Sequence, residues 1–158
     1  MQARHREEGA VLVEFALVLV PLSLLVFGFL QLGIAMNAKI DATHLTAEGA
    51  RYIVVNQNPG LTDPGLSPKT LQSYIRSRAD TADLRAKAVV CIAYPTNPET
   101  STSGKVGDPV RVTVDYSYGN LVPLVGDRLD PPATSLQVAS EATMRLEALP
   151  TKIPAGCI

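Results

Sequence analysis

Histidine is scarce in this chain: His5 and His44 are the only two among 158 residues. Nucleophilic catalysis needs a base held beside the nucleophile, and His44 alone does not readily complete a Ser-His-Asp or Cys-His arrangement. Cysteine is equally scarce. Cys91 and Cys157 stand alone, with no second pair of ligands to complete a thiolate metal site. The sequence has no glycine-rich phosphate loop, no HExxH pair and no clustered carboxylate site. Asp80, Asp83, Asp108 and Asp127 are scattered through turn-like contexts, where carboxylates cap backbone or stay solvated instead of gathering round calcium. No enzymatic activity, cofactor, metal or small-molecule substrate is expected.

Net charge is also lacking. Fourteen Lys and Arg against fifteen Asp and Glu leave a formal charge of −1. There is no basic field to recruit nucleic acid and no Lys/Arg cluster of the kind that holds anionic lipid. No internal repeat is visible.

What the chain has in quantity is one apolar run. From Ala10 to Ala38 the only charged side chain is Glu14. At 1.5 Å per residue this run makes about 43 Å of helix, more than the roughly 30 Å hydrocarbon core of a bilayer. A secretory signal has an apolar region of only about 7–15 residues, so the run reads as a retained membrane helix, although Gly33-Ile34-Ala35 imitates a cleavage site. Arg4 and Arg6 precede it and favour a cytoplasmic N-terminus. Pro21 lies inside the run, where it removes one backbone bond and tends to kink the axis. Gly28 and Gly33 are small enough to let another helix approach. An acidic residue in a membrane helix costs about 2.5–3.5 kcal/mol at the centre and less towards the ends, so Glu14 calls for a role.

Its surroundings suggest one. A polar leader, residues 1–9, closes at Gly9-Ala10, and Gly-Ala-Val-Leu-Val-Glu-Phe-Ala-Leu-Val follows over residues 9–18, with Pro21, Phe27-Gly28 and Glu48-Gly49-Ala50-Arg51-Tyr52 beyond. This pattern resembles the N-terminus of type IV prepilins. Within that superfamily it is most similar to the TadE-like minor pseudopilins of the tight-adherence (Flp) pilus system. Ser140-Glu141-Ala142-Thr143-Met144-Arg145-Leu146-Glu147 resembles the end of the same domain. The resemblance implies that a prepilin peptidase cuts between Gly9 and Ala10. It also implies that Glu14, with Phe15 beside it, fixes subunit register by pairing with a neighbour's new Ala10 ammonium. The implied partners are the peptidase, other pilin or pseudopilin subunits with their assembly machinery, and membrane lipid. The alternative is a signal-anchored extracytoplasmic binding or structural module that is never cut there.

The expected organisation is a leader at 1–9, a transmembrane helix at 10–38 and an extracytoplasmic domain at 39–158, in the cytoplasmic membrane or a surface fibre. Helix is expected to continue to about Val55, with Ile40, Leu45, Ala47, Ala50 and Val54 on its apolar flank and Lys39, Asp41, His44, Glu48 and Arg51 on its polar side. The turn chemistry of 56–67 stops it. Ser67 and Pro68 read as N-cap and first residue of a short helix to about Ala79. Three strands follow, at Ala86–Tyr94, Val110–Tyr118 and Leu136–Leu146, the last two with strict alternation. The fold class is α+β, with a long helix, a short second helix and about three antiparallel strands. Loop 95–109 reads as mobile and solvent-facing. The apolar run Leu121–Val125 reads as a cap on the small core or as a docking segment. In an exported domain Cys91 and Cys157 have the option of one disulfide. Otherwise Cys91 is a buried small hydrophobe and Cys157 a loose thiol.

Overall fold

The computed structural model describes the backbone of residues 4–118 and 136–158 and the side chains of residues 11–117 and 137–158. The Leu121–Val125 run lies outside the described residues. The chain divides into two units, Met1–Met36 and Asn37–Ile158. One helix, α1, covers Arg4–Val54 with Pro21 inside it, so it begins six residues before Ala10. In the first unit every side chain from Val11 to Leu30 is exposed except that of Ser23, whose hydroxyl donates to Val20 O at 2.8 Å.

The second unit has the order α1 (its last turns), α2 (Leu71–Ser77), α3 (Ala82–Lys87), β1 (Val89–Ala93), β2 (Pro109–Tyr118), β3 (Leu136–Arg145) and β4 (Gly156–Cys157), with a 3-10 turn at Pro59–Leu61. The four strands form an antiparallel sheet in the order β3-β2-β1-β4. The class is α+β, with one strand and one helix more than the sequence suggests. Alternation gives β2 and β3 correctly: Val110, Val112, Val114 and Tyr116 are buried, and Gln137, Ala139, Glu141, Thr143 and Arg145 are exposed.

Several boundaries differ from the sequence reading, each for a local reason. The α2 helix is capped by Thr70, whose hydroxyl accepts Ser73 N–H at 3.2 Å. Ser67-Pro68 is a cis peptide before it and not its first turn. The segment Ala86–Tyr94 splits, because Thr81 caps α3 by accepting Leu84 N–H at 3.3 Å and the strand starts only at Val89. The helix α1 ends in a Schellman motif: Gln57 N–H reaches Tyr52 O and Asn56 N–H reaches Ile53 O, both at 2.9 Å, with Asn56 at φ 53° in the left-handed region that asparagine tolerates.

The face that α1 buries also differs. Ala38, Asp41, Ala42, Leu45, Thr46, Gly49, Ala50 and Ile53 are buried, whereas Ile40 is 58% exposed. Small residues let the helix lie close to its neighbours. At Gly49 an added Cβ would come within 2.6 Å of Ile75 Cδ1. Thr46 Oγ1 and Ser140 Oγ pair at 3.3 Å inside this contact, so their buried hydroxyls keep a partner. Ile75, Leu71, Leu84, Val90, Ile92 and Ile153 complete the core beside the β2 valines.

The C-terminal segment closes the unit. Glu147 and Ala148 donate N–H to Val54 O at 3.2 and 3.1 Å. Asn56 Oδ1 accepts Lys152 N–H at 3.1 Å, and Tyr94 Oη donates to the carbonyl of buried Ile153 at 2.7 Å. Burial pushes the Tyr94 phenol up to about 12. The amide of Gln72 turns its nitrogen towards the Pro154 and Gly156 carbonyls. Cys91 and Cys157 stand opposite each other in the β1–β4 register and are disulfide-bonded, with Cα atoms 4.0 Å apart.

Candidate assembly site

The residues singled out at the N-terminus all lie on α1. Gly9 and Ala10 fall within its helical backbone. Glu14 stands four residues after Ala10, a spacing that puts both on one helix face. Glu14 is exposed, and Phe15 beside it is 63% exposed. Neither has a hydrogen-bond or ion-pair partner among the described residues. Pro21 is likewise exposed within the helix. This helix is long and apolar enough to cross a membrane, with a mean hydropathy of 2.5 in its most apolar stretch and nothing buried there.

Residues 9–51 match the family of TadE-like proteins. The match begins on the glycine of the junction, takes in Glu14, Phe15 and Pro21, and ends on Arg51 in the last turn of α1. No curated protein and no solved structure matches the chain. The match covers 43 of the 158 residues. The single long apolar helix is consistent with one membrane anchor for this TadE-like segment.

The rest of the TadE-like segment lies in the second unit. His44, Ala47, Glu48, Arg51 and Tyr52 line an open groove along α1. Tyr52 packs edge-on against Tyr74, ring centres 5.7 Å apart. The hydrogen bond with Tyr74 is the main cause that raises the Tyr52 pKa. Among the described residues no three His, Cys, Asp or Glu side chains are placed to hold a metal ion.

The scattered carboxylates have structural work instead. Asp108 is 2% exposed. Its Oδ1 accepts from Asn97, Thr100 and Thr102, and its Oδ2 from Lys105 N–H at 3.0 Å. Burial works to raise its pKa, but those four donors outweigh it and hold the carboxyl below its ordinary value. Asp108 and buried Asn97 thus fasten a loop, 95–109, that composition marks as free. Asp83 receives Lys87 Nζ at 2.7 Å and the Tyr116 hydroxyl. Both lower its pKa, Lys87 the more.

Proposed function

We propose that this chain is a minor pseudopilin. It is made as a membrane-inserted precursor with residues 1–9 on the cytoplasmic side and residues 39–158 outside. A prepilin peptidase cuts it after Gly9, and the product takes part in assembling or priming a Flp/Tad-type pilus or related secretion fibre. The observation that carries this reading is the TadE-like match over residues 9–51, whose first residue is the junction glycine. The Cys91–Cys157 bridge supports an oxidising compartment for the second unit.

The physical logic centres on Glu14. Cleavage creates an ammonium at Ala10, the start of an apolar helix whose surface is largely bare to its surroundings from Val11 to Leu30. A carboxylate in low dielectric is costly unless paired, and the Ala10 ammonium of an adjacent subunit satisfies it. An opposite charge within a few ångströms favours the ionised form of both groups. One axial offset between neighbouring helices is thereby selected over the others.

The intact mass of membrane-extracted protein tests the cut, measured with and without a prepilin peptidase. The expected mature chain starts at Ala10. A chain that starts at Met1 in the presence of the peptidase overturns processing and leaves an uncleaved anchored module. Glu14→Ala is expected to insert as well as the wild type, since it removes a charge from lipid, and to assemble poorly. Equal assembly by that variant leaves Glu14 as a carboxyl that merely reaches for water.

A further inference from the structure

Among the described residues the outer edge of β3 is unpartnered over a short, defined stretch. Leu146 exchanges hydrogen bonds with the β2 side, accepting Gly107 N–H at 2.8 Å and donating to Asp108 O at 2.9 Å. Successive residues of a strand turn their backbone groups to opposite edges, so even positions of β3 serve β2 and odd positions face away. Two odd positions are occupied. Ala139 O accepts from the Lys39 ammonium, and Glu147 N–H donates to Val54 O. Between them Glu141, Thr143 and Arg145 present three N–H and three C=O groups with no partner among the described residues.

An open edge is a template for another strand, and the side chains here specify which one. We propose that this edge pairs with the same edge of a second copy of this chain, antiparallel and centred on Thr143. That register sets Thr143 against Thr143 and Glu141 against Arg145 twice over, both favourable cross-strand pairs. It makes about six backbone hydrogen bonds and stops where Ala139 and Glu147 are already engaged. Moving the centre to residue 141 puts Glu141 against Glu141, and a centre at residue 145 puts Arg145 against Arg145, so like charges oppose these slips. Within each copy Arg111 Nε already lies 3.1 Å from Glu141, so pairing builds an alternating row of Arg111, Glu141 and the second copy's Arg145. The two copies run in opposite directions, so the end at which the chain enters one unit lies beside the far end of the other.

The test is sedimentation of the full chain in detergent micelles. A concentration-dependent dimer is expected. Thr143→Pro removes an N–H that the fold does not use, at an edge position where proline is tolerated, and should abolish association while circular dichroism stays unchanged. Glu141→Lys and Arg145→Glu should each raise the dissociation constant about tenfold, and combining both with Arg111→Glu, which reverses the whole row, should return it to within about threefold of the wild type. A chain that stays monomeric, a dimer that survives Thr143→Pro, or a full reversal that fails to restore binding overturns the proposal. None of these readouts depends on cleavage at Gly9.

Discussion

Asp41 Oδ2 accepts the backbone N–H of Asp80 at 2.9 Å. The carboxylate of a helix residue that is 8% exposed thereby closes the turn between α2 and α3 and ties it to α1. Asp41→Ala should cost about 1–2 kcal/mol, the order of a hydrogen bond to a charged acceptor. Asp41→Asn, which keeps an acceptor, should cost clearly less. Urea unfolding of the full chain in detergent measures both, and equal losses would argue against the contact.

The Cys91–Cys157 bridge spans 66 residues. Reduction, or Cys91→Ala with Cys157→Ala, should lower stability by about 2–4 kcal/mol by restoring freedom to the unfolded chain. Comparison of unfolding midpoints with and without reductant checks this, and the double variant should show no response to reductant.

Acid should weaken the 95–109 loop through Asp108. Its folded pKa is depressed, so the stability it contributes is present above its unfolded value, near 4, and is lost as pH falls through the folded value. Asp108→Asn should therefore be less stable than the wild type at pH 7, and the gap should narrow progressively below about pH 4. Unfolding midpoints of both proteins from pH 7 to pH 3 give the curve, and a constant gap would assign the cost to something other than the charge.

Gly60 lies where the 3-10 turn passes Thr70. An added Cβ would sit 2.3 Å from the Thr70 carbonyl oxygen, and backbone cannot move aside as a side-chain tip can. Gly60→Ala should cost about 1–3 kcal/mol. Gly65→Ala, where the nearest atom is an Asp63 carboxylate oxygen at 3.4 Å, should be nearly neutral in the same assay.

How much of this was legible depends on which physical signal each element uses. The strands β2 and β3 announce themselves because each runs for ten residues with one face turned towards the core, and alternation reports that directly. The membrane-length helix is visible from length and hydropathy alone. The helix α3 buries only Leu84, too little for a period, and β4 has two residues, too few for any pattern. On α1 the expected flank includes buried Leu45 and Ala50, but the rest of the buried stripe, apart from Ile53, is alanine, glycine, threonine and an aspartate, which carry little hydropathy signal. A large exposed residue, Ile40, is more apolar than most of what is buried. Asp108 could not be read as a hub, since its donors come from side chains whose convergence exists only in three dimensions. The N-terminal site was legible as a pattern, and the structure adds that Glu14 and Phe15 find no partner within the described fold.

The path of residues 147–158 bears on the timing of synthesis. Ile153 fills the core, Gly156 and Cys157 supply the fourth strand, and Thr151 and Lys152 meet the Asn56 side chain. Until those residues leave the ribosome, the outer edge of β1 and the Ile153 site in the core remain uncovered. The second unit thus completes its fold only after translation of that segment, and any escort for the nascent chain must hold residues 37–146 with their core still open, not as a finished fold.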